Sequence, residues 1–264
     1  MTSSMKYTEE VSKRTERAYL SPEIVRQREL TIAVISPQAG EQIIDVGCGP
    51  GLLACELADA VGNDGRVIGI DSSSSMIALA EDRCAGISNV TLVECDATNL
   101  ALDDAKADAV ICTQVLLYVD DVKGALAEFS RILKPGGRVV IMETDWRSAV
   151  LHTNDEVLTE KIIEAWDRAV PSPRLPARLG PLLREAGFSS VQIDAIPIIS
   201  TSAVMEEFAM SMMTQCAHAA REQGIIDESQ GRQWIRSLQQ LGAQDAFFFC
   251  VNRFLFSAVK ADPW

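Results

Sequence analysis

Apolar residues along this chain fall into two alternating rhythms between residues 42 and 142. Short apolar runs at Gln42–Val46, Arg66–Ile70, Val90–Val93, Ala109–Cys112 and Arg138–Met142 have the length and β-branched content of buried strands. Between them, apolar positions recur every three or four residues. Val122, Ala125, Leu126, Phe129, Ile132 and Leu133 form one face of a helix, closed by Lys134-Pro135-Gly136-Gly137. Leu52–Val61 is another helix, stopped by Gly62-Asn63-Asp64-Gly65, and Ser72 can cap one that runs to about Cys84. Strands that alternate with helices imply βαβ units and a mostly parallel sheet.

After Glu143 the rhythm changes. Residues 145–175 read as a loop plus helix containing Pro171 and Pro173, and Gly180–Ala186 as a helix returning to a strand at Val191–Ile196. Residues 202–242 read as two helices parted near Gly224, followed by a long final strand over Phe247–Val259. The first forty residues are amphipathic and helical, with Ser21-Pro22 placing proline at a helix start. The pattern predicts a single domain over residues 1–264. Residues 1–40 would be an N-terminal helical lid and 41–143 a ligand-binding core, with 144–175 and 202–242 inserted around a pocket.

Composition narrows the function. The chain has 264 residues, 47 % of them hydrophobic, which is ample for a core. Its net charge of −13, with no basic stripe, argues against nucleic acid as a partner. The seven cysteines include no CxxC pair, so neither a disulfide framework nor a zinc or other metal site is expected. Reduced thiols and a polar N-terminus without a signal peptide point to the cytoplasm. The most apolar stretch, Phe247–Val259, is broken by Asn252 and Arg253 and is too short to span a bilayer, so no membrane partner is expected. A homo-oligomer stays open.

The strongest chemical signal is Ile43-Ile44-Asp45-Val46-Gly47-Cys48-Gly49-Pro50-Gly51. A strand that enters a glycine turn and then a helix lets backbone approach a ligand closely. A dinucleotide turn is GxGxxG; this one is GxGxG, preceded by Asp45, whose carboxylate would repel a pyrophosphate but suits a cationic amino-acid end. Asp71, at the tip of the second strand, can accept both ribose hydroxyls. Asp96, before Ala97 at the third strand tip, can accept from an adenine amine. The ligand implied is a nucleoside without phosphates.

These residues resemble the class I S-adenosylmethionine-dependent methyltransferases, and within them the small-molecule branch similar to ubiquinone/menaquinone methyltransferases. The likeness runs over residues 40–143: Asp45 to Gly51, Asp71-Ser72-Ser73-Ser74-Ser75-Met76, Asp96, Ala107 to Gln114, and Leu133 to Gly137. It implies a Rossmann-like α/β fold, with seven strands in the order 3-2-1-4-5-7-6 and the seventh antiparallel. N-terminal helices and a helical cap between strands six and seven complete the fold. It also implies S-adenosyl-L-methionine as cofactor, contacted by Gly47, Cys48, Gly49, Gly51, Ser72 and Met76 as well as the three aspartates and Ala97. Gln114 would face both cofactor and acceptor. Tyr19 and Arg28 would close over the cofactor, Arg28 reaching its carboxylate, unless both merely decorate a solvated helix.

The methyl acceptor is expected to be a small molecule modified at O, N or C. His152 is a candidate general base, beside Asp145. Trp146, Arg147 and Arg253 are candidate acceptor contacts; Arg147 could instead pair with Asp145, and Arg253 could face the sheet edge. His218, among the methionines of the inserted helices, reads as packing or cap surface. The fourth motif lacks the Asn/Asp-Pro-Pro-Tyr/Phe sequence that grips nucleobase amines. Two other readings compete: a cofactor-binding protein without turnover, and an NAD-linked oxidoreductase, which GxGxG with Asp45 disfavours.

Overall fold

The computed structural model describes residues 16–205 and 207–261; residues 1–15 of the expected lid lie outside that range. The first helix that lies wholly within the described residues is α1 (Pro22–Ile35), opened by Ser21 in extended conformation with proline in its first turn. Then follow β1 (Gln42–Val46), α2 (Leu52–Val61), β2 (Arg66–Asp71), α3 (Ser74–Arg83), β3 (Val90–Glu94), β4 (Ala107–Thr113), α4 (Val122–Ile132) and β5 (Leu133–Thr144). The second half holds β6 (Val150–Leu151), α5 (Glu156–Ala169), α6 (Pro176–Glu185), β7 (Phe188–Ser200), α7 (Phe208–Glu222), α8 (Glu228–Ala243) and β8 (Phe249–Lys260).

One mixed sheet organises these elements. Strands β3, β2, β1, β4 and β5 run parallel in that order, and β8 lies antiparallel between β5 and β7. With β7 and β8 counted as sixth and seventh, the order is the expected 3-2-1-4-5-7-6. The sheet has eight strands rather than seven because β6 adds a two-residue pairing to β8 at Cys250 and Phe249. After β5, Asp145 accepts from the Arg147 amide (3.0 Å) and turns the chain through a 3-10 helix at Trp146–Ser148 before it rejoins the sheet. Two residues carry no period, so this strand left no trace in the sequence. Ser73, not Ser72, caps α3, its hydroxyl accepting from the Met76 amide.

Alternation along the strands sorts the core into two clusters. Ile43, Val67, Ala109, Ile111, Val140 and Met142 join one cluster with Leu53 and Leu57 of α2. Ile44, Ile68, Val110 and Ile141 join the other, with Phe129 of α4 and Leu179 and Leu183 of α6. The first cluster continues without a break into Met210, Met213, Trp234 and Leu238, so the helices between β7 and β8 share the sheet's own core. Trp234 Nε1 donates to Thr159 Oγ1 of α5 (2.8 Å), which fixes α8 on α5. Among the described residues no helix is long and apolar enough to cross a membrane.

This shared core predicts that Trp234→Ala costs about 3–5 kcal/mol. Urea unfolding followed by both far-UV circular dichroism and tryptophan fluorescence checks it; a cap that unfolds separately would split the two transitions.

Candidate functional site

The parallel strands end at a crevice of about 710 Å³, walled by the β1, β2, β3 and β4 termini and roofed by Tyr19, Gln27 and Arg28. Its floor is the glycine turn after β1. The Gly47 and Cys48 amides both donate to the Ile70 carbonyl of β2, at 2.6 and 2.9 Å, which bends the chain sharply there. Gly47 has φ +73°, and a Cβ on it would lie 2.0 Å from Val115 Cγ2, so no other residue fits without moving the loop after β4. Gly49 has φ +53° and lies under the Tyr19 ring, 4.0 Å from where its Cβ would be. Arg28 anchors the backbone of Tyr19: it donates to the Tyr19 carbonyl (2.7 Å) and pairs with Glu56 of α2 (3.1 Å).

Asp71 ties the turn to the second strand tip. Its Oδ2 accepts from the Gly49 amide and its Oδ1 from the Ser73 amide, both at 2.9 Å. Each carboxylate oxygen keeps a further lone pair for a ligand hydroxyl. Burial lifts Asp71 above the ordinary carboxylate range, and the backbone amides of Ser73, Gly49 and Ser72 pull against that rise. Beyond it, Ser72, Met76, Asp96 and Ala97 line the crevice. Asp96 Oδ1 is occupied by the Thr98 amide (2.8 Å) and hydroxyl (2.6 Å). Arg83 braces the turn from behind, donating to the Pro50 carbonyl (2.8 Å) and pairing with Glu16.

At the far end, Gln114 follows β4 with φ +60°, an uncommon backbone state for a non-glycine residue. Its amide group is engaged at both ends: Nε2 donates one bond to the Met142 carbonyl (3.2 Å), and Oε1 accepts one from Thr144 Oγ1 (2.6 Å). Buried Glu143 holds the next two residues, its Oε1 accepting from the Val115 (3.2 Å) and Leu116 (2.7 Å) amides. Arg253 of β8 faces the crevice and not the sheet edge. It is 4 % exposed, donates to Gln27 Oε1, and lies with its guanidinium carbon 4.7 Å from the Phe208 ring centre. A small chamber of about 40 Å³ adjoins it, bounded by Tyr19, Gln114, Tyr118, Trp146, Phe208 and Met212.

Eleven of the thirteen expected cofactor contacts thus share one crevice: Tyr19, Arg28, Gly47, Cys48, Gly49 and Asp71, with Ser72, Met76, Asp96, Ala97 and Gln114. Asp45 and Gly51 do not line it. Asp45 has the parity of Ile43, so its side chain enters the α2 side of the sheet beneath the turn, 1 % exposed. Gly51 instead lets α2 approach α3, since a Cβ there would lie 3.0 Å from Ala80. Trp146 lines only the small chamber.

His152, Asp145 and Arg147 line neither cavity. His152 Nδ1 bonds the Ala246 carbonyl (2.7 Å) on the outside of the sheet, and Arg147 is exposed and paired with Asp145 (3.2 Å). His218 lies on the cap surface, 3.3 Å from Glu222. Sequence reasoning passed over Gln27, Tyr118 and Glu143, which lie outside every motif the sequence offered.

Two carboxyl groups under this site have values near neutrality. Burial, then the Asp71 charge, pushes Asp45 up to about 7. Burial pushes Glu143 up to about 8 against the pull of its amide donors and Arg253. Each keeps one buried oxygen without a partner. The Cys48 thiol and Tyr118 phenol are pushed well above their ordinary values by burial, so both stay protonated at neutral pH.

Comparison with known proteins matches residues 44–141 to a methyltransferase domain. The chain is 30 % identical over 237 residues to an uncharacterized 37.1 kDa protein of transposon TN4556 from Streptomyces fradiae, covering 89 % of this chain and 67 % of that one. It is 38 % identical over 117 residues to a demethylmenaquinone methyltransferase of Staphylococcus epidermidis, covering 44 % of this chain and 48 % of that protein. The match therefore spans about half the length of that relative. In fold it resembles phosphoethanolamine N-methyltransferase 2 of Haemonchus contortus, solved with S-adenosyl-L-methionine. There the TM-score is 0.64 at 20 % identity, over 98 % of this chain and 58 % of that one.

Glu143 gives this site a pH signature. An acid raised in the folded chain keeps its proton after the unfolded chain has lost it, so stability falls as pH climbs from the ordinary carboxylate range to about 8. Glu143→Gln keeps an oxygen for the Val115 and Leu116 amides and removes the titration. The slope of urea midpoint against pH, between about 5 and 8, should be shallower in the variant. An unchanged slope would contradict the buried carboxyl.

Proposed function

The chain belongs to the class I S-adenosylmethionine-dependent methyltransferases, and from that membership we propose that it transfers the cofactor's methyl group to an O, N or C atom of a small molecule held beside Gln114 and Arg253. One observation carries the reading. A carboxylate at the β2 tip, bonded to the glycine turn and still able to accept, stands over a floor bare of side chains. That combination suits a nucleoside with a ribose diol and no phosphates.

The residues present fit the cofactor. Asp71 would take the ribose hydroxyls through its remaining lone pairs. Asp96, whose Oδ2 is uncommitted, would serve the adenine amine, between the apolar walls of Met76 and Ala97. The Gly47–Gly49 turn leaves backbone room for the amino-acid end, with Tyr19 and Arg28 above it. Asp45, raised to about 7 by burial, lies beneath the turn, and a cationic ligand end above it would favour its ionised form.

The cofactor, when bound, supplies a methyl already activated on a sulfonium. The protein's task is to align the acceptor and keep the crevice dry. Gln114, locked by Met142 and Thr144, and the Glu143-held loop fix one wall for this, while α1 and α7 cover the opening near Arg253. No histidine reaches the crevice, and its Cys48 and Tyr118 hold their protons. An acceptor that is already nucleophilic, or that ionises readily by itself, suits such a wall.

Calorimetry should show S-adenosylmethionine and S-adenosylhomocysteine binding at micromolar levels. Asp71→Ala should weaken both about 10- to 100-fold, the loss of one or two hydrogen bonds to a charged group. Incubation of a metabolite extract with deuterated-methyl cofactor should then give a labelled product by mass spectrometry. No heat with either nucleoside would end the reading; binding without any labelled product would leave a cofactor-binding protein without turnover.

A further inference from the structure

Arg253 is an anomaly in the energetics of the crevice. A guanidinium taken out of water is strongly disfavoured unless an anion accompanies it. Here the side chain is 4 % exposed, and among the described residues it forms no ion pair. Its partners are neutral: the Gln27 amide oxygen and the face of Phe208. Its Nε is buried with no hydrogen-bond partner among the described residues. Glu143, the nearest acid on the neighbouring strand, already spends Oε1 on two backbone amides. Glu143 and Glu23 act on the guanidinium only through space, and neither bonds it, so a protein of net charge −13 has kept a buried cation without a direct anionic partner at the end of its ligand crevice.

Charges divide the site unevenly. Asp71, Asp96, Asp120 and Asp121 line the main crevice with two cations, Arg253 and an Arg28 already paired with Glu56. In the small chamber beyond Gln114, Arg253 is the sole charged side chain among the described residues, set among Tyr19, Tyr118, Trp146, Phe208 and Met212. At about 40 Å³ the chamber admits only a few heavy atoms, the size of a head group and not of a whole metabolite. A planar, bidentate donor among aromatic walls is built for a carboxylate carried on a flat apolar body.

Resting on the methyl-transfer reading above, we propose that the methyl acceptor is an organic acid, its carboxylate seated on Arg253 in the aromatic chamber and its apolar body reaching back past Gln114 into the crevice. The anion completes the guanidinium that the fold leaves unpaired. It also orients the acceptor from the side opposite to Asp71. Burial depresses Arg253 to about 10, and the charge of an adjacent carboxylate offsets that depression. Acids without such a body, and amides or esters of the same body, fit the chamber less well, because either the walls or the guanidinium stay unsatisfied.

The test uses the full chain saturated with S-adenosylhomocysteine, so that no turnover intervenes, and titrates benzoate and benzamide by calorimetry. Benzoate should bind at least about 10-fold more tightly than benzamide. Arg253→Met should abolish that preference while leaving S-adenosylhomocysteine affinity within about 3-fold, and Arg253→Lys should keep part of it. Equal binding of the two probes, or no benzoate binding to the wild type, overturns the proposal. So does an Arg253→Met variant that loses S-adenosylhomocysteine and keeps benzoate, since the guanidinium then serves the cofactor. If Arg253→Met fails to fold, the wild-type preference and the Arg253→Lys variant decide. A wild type that binds no S-adenosylhomocysteine at all defeats the methyltransferase reading itself, an outcome separate from these.

Discussion

The bond from the Gly49 amide to the Asp71 carboxylate joins the turn after β1 to the tip of β2, and the crevice takes its shape from it. Parallel strands end with amides and carbonyls that no further strand will pair. Here those groups are spent locally: the Ile70 carbonyl receives the Gly47 and Cys48 amides, and Asp71 receives those of Gly49 and Ser73. The floor is therefore rigid and satisfied before any ligand arrives. Gly47 leaves no room for a side chain against Val115, so the turn and the loop after β4 are also fitted to each other. A rigid, side-chain-free floor is what lets a nucleoside lie directly against backbone.

Around that floor the fold accumulates groups that are costly unless something binds. Asp45 and Glu143 sit beneath it with raised values and an unpartnered oxygen each, and Arg253 stands at its end without an anion. Gln114 carries a positive φ where the β4 wall turns outward. Such unfavourable features cluster where ligands supply the missing partner. The surrounding helices tolerate them because the core under the cap is continuous with the core of the sheet.

The parallel half of the fold was legible because its signals are local. β1 and α2 have the bounds that the apolar period and the Gly62–Gly65 stop implied. Asp71 and the glycine turn were legible too, since backbone geometry at a strand tip demands few residue types. What escaped depends on contacts distant in sequence. β6 exists only because Phe249 and Cys250 lie alongside it, and the ends of β7 were missed: the strand expected over Val191–Ile196 runs from Phe188 to Ser200, through exposed polar residues that blur its period. His152 stood near the right strand end, yet the chain turns at Asp145 and delivers it to Ala246 on the outer side. Arg253 and Gln27 meet across 226 residues, and no spacing rule could join them.

The central claim is that the Asp71 tip and the glycine turn hold a phosphate-free nucleoside. A crystal structure of the chain with S-adenosylhomocysteine tests it most directly. The account predicts ribose hydroxyls within hydrogen-bond distance, about 2.5–3.0 Å, of the Asp71 carboxylate, with the amino-acid end over Gly47–Gly49. Nucleoside density outside the crevice, or a ribose turned away from Asp71, would contradict it.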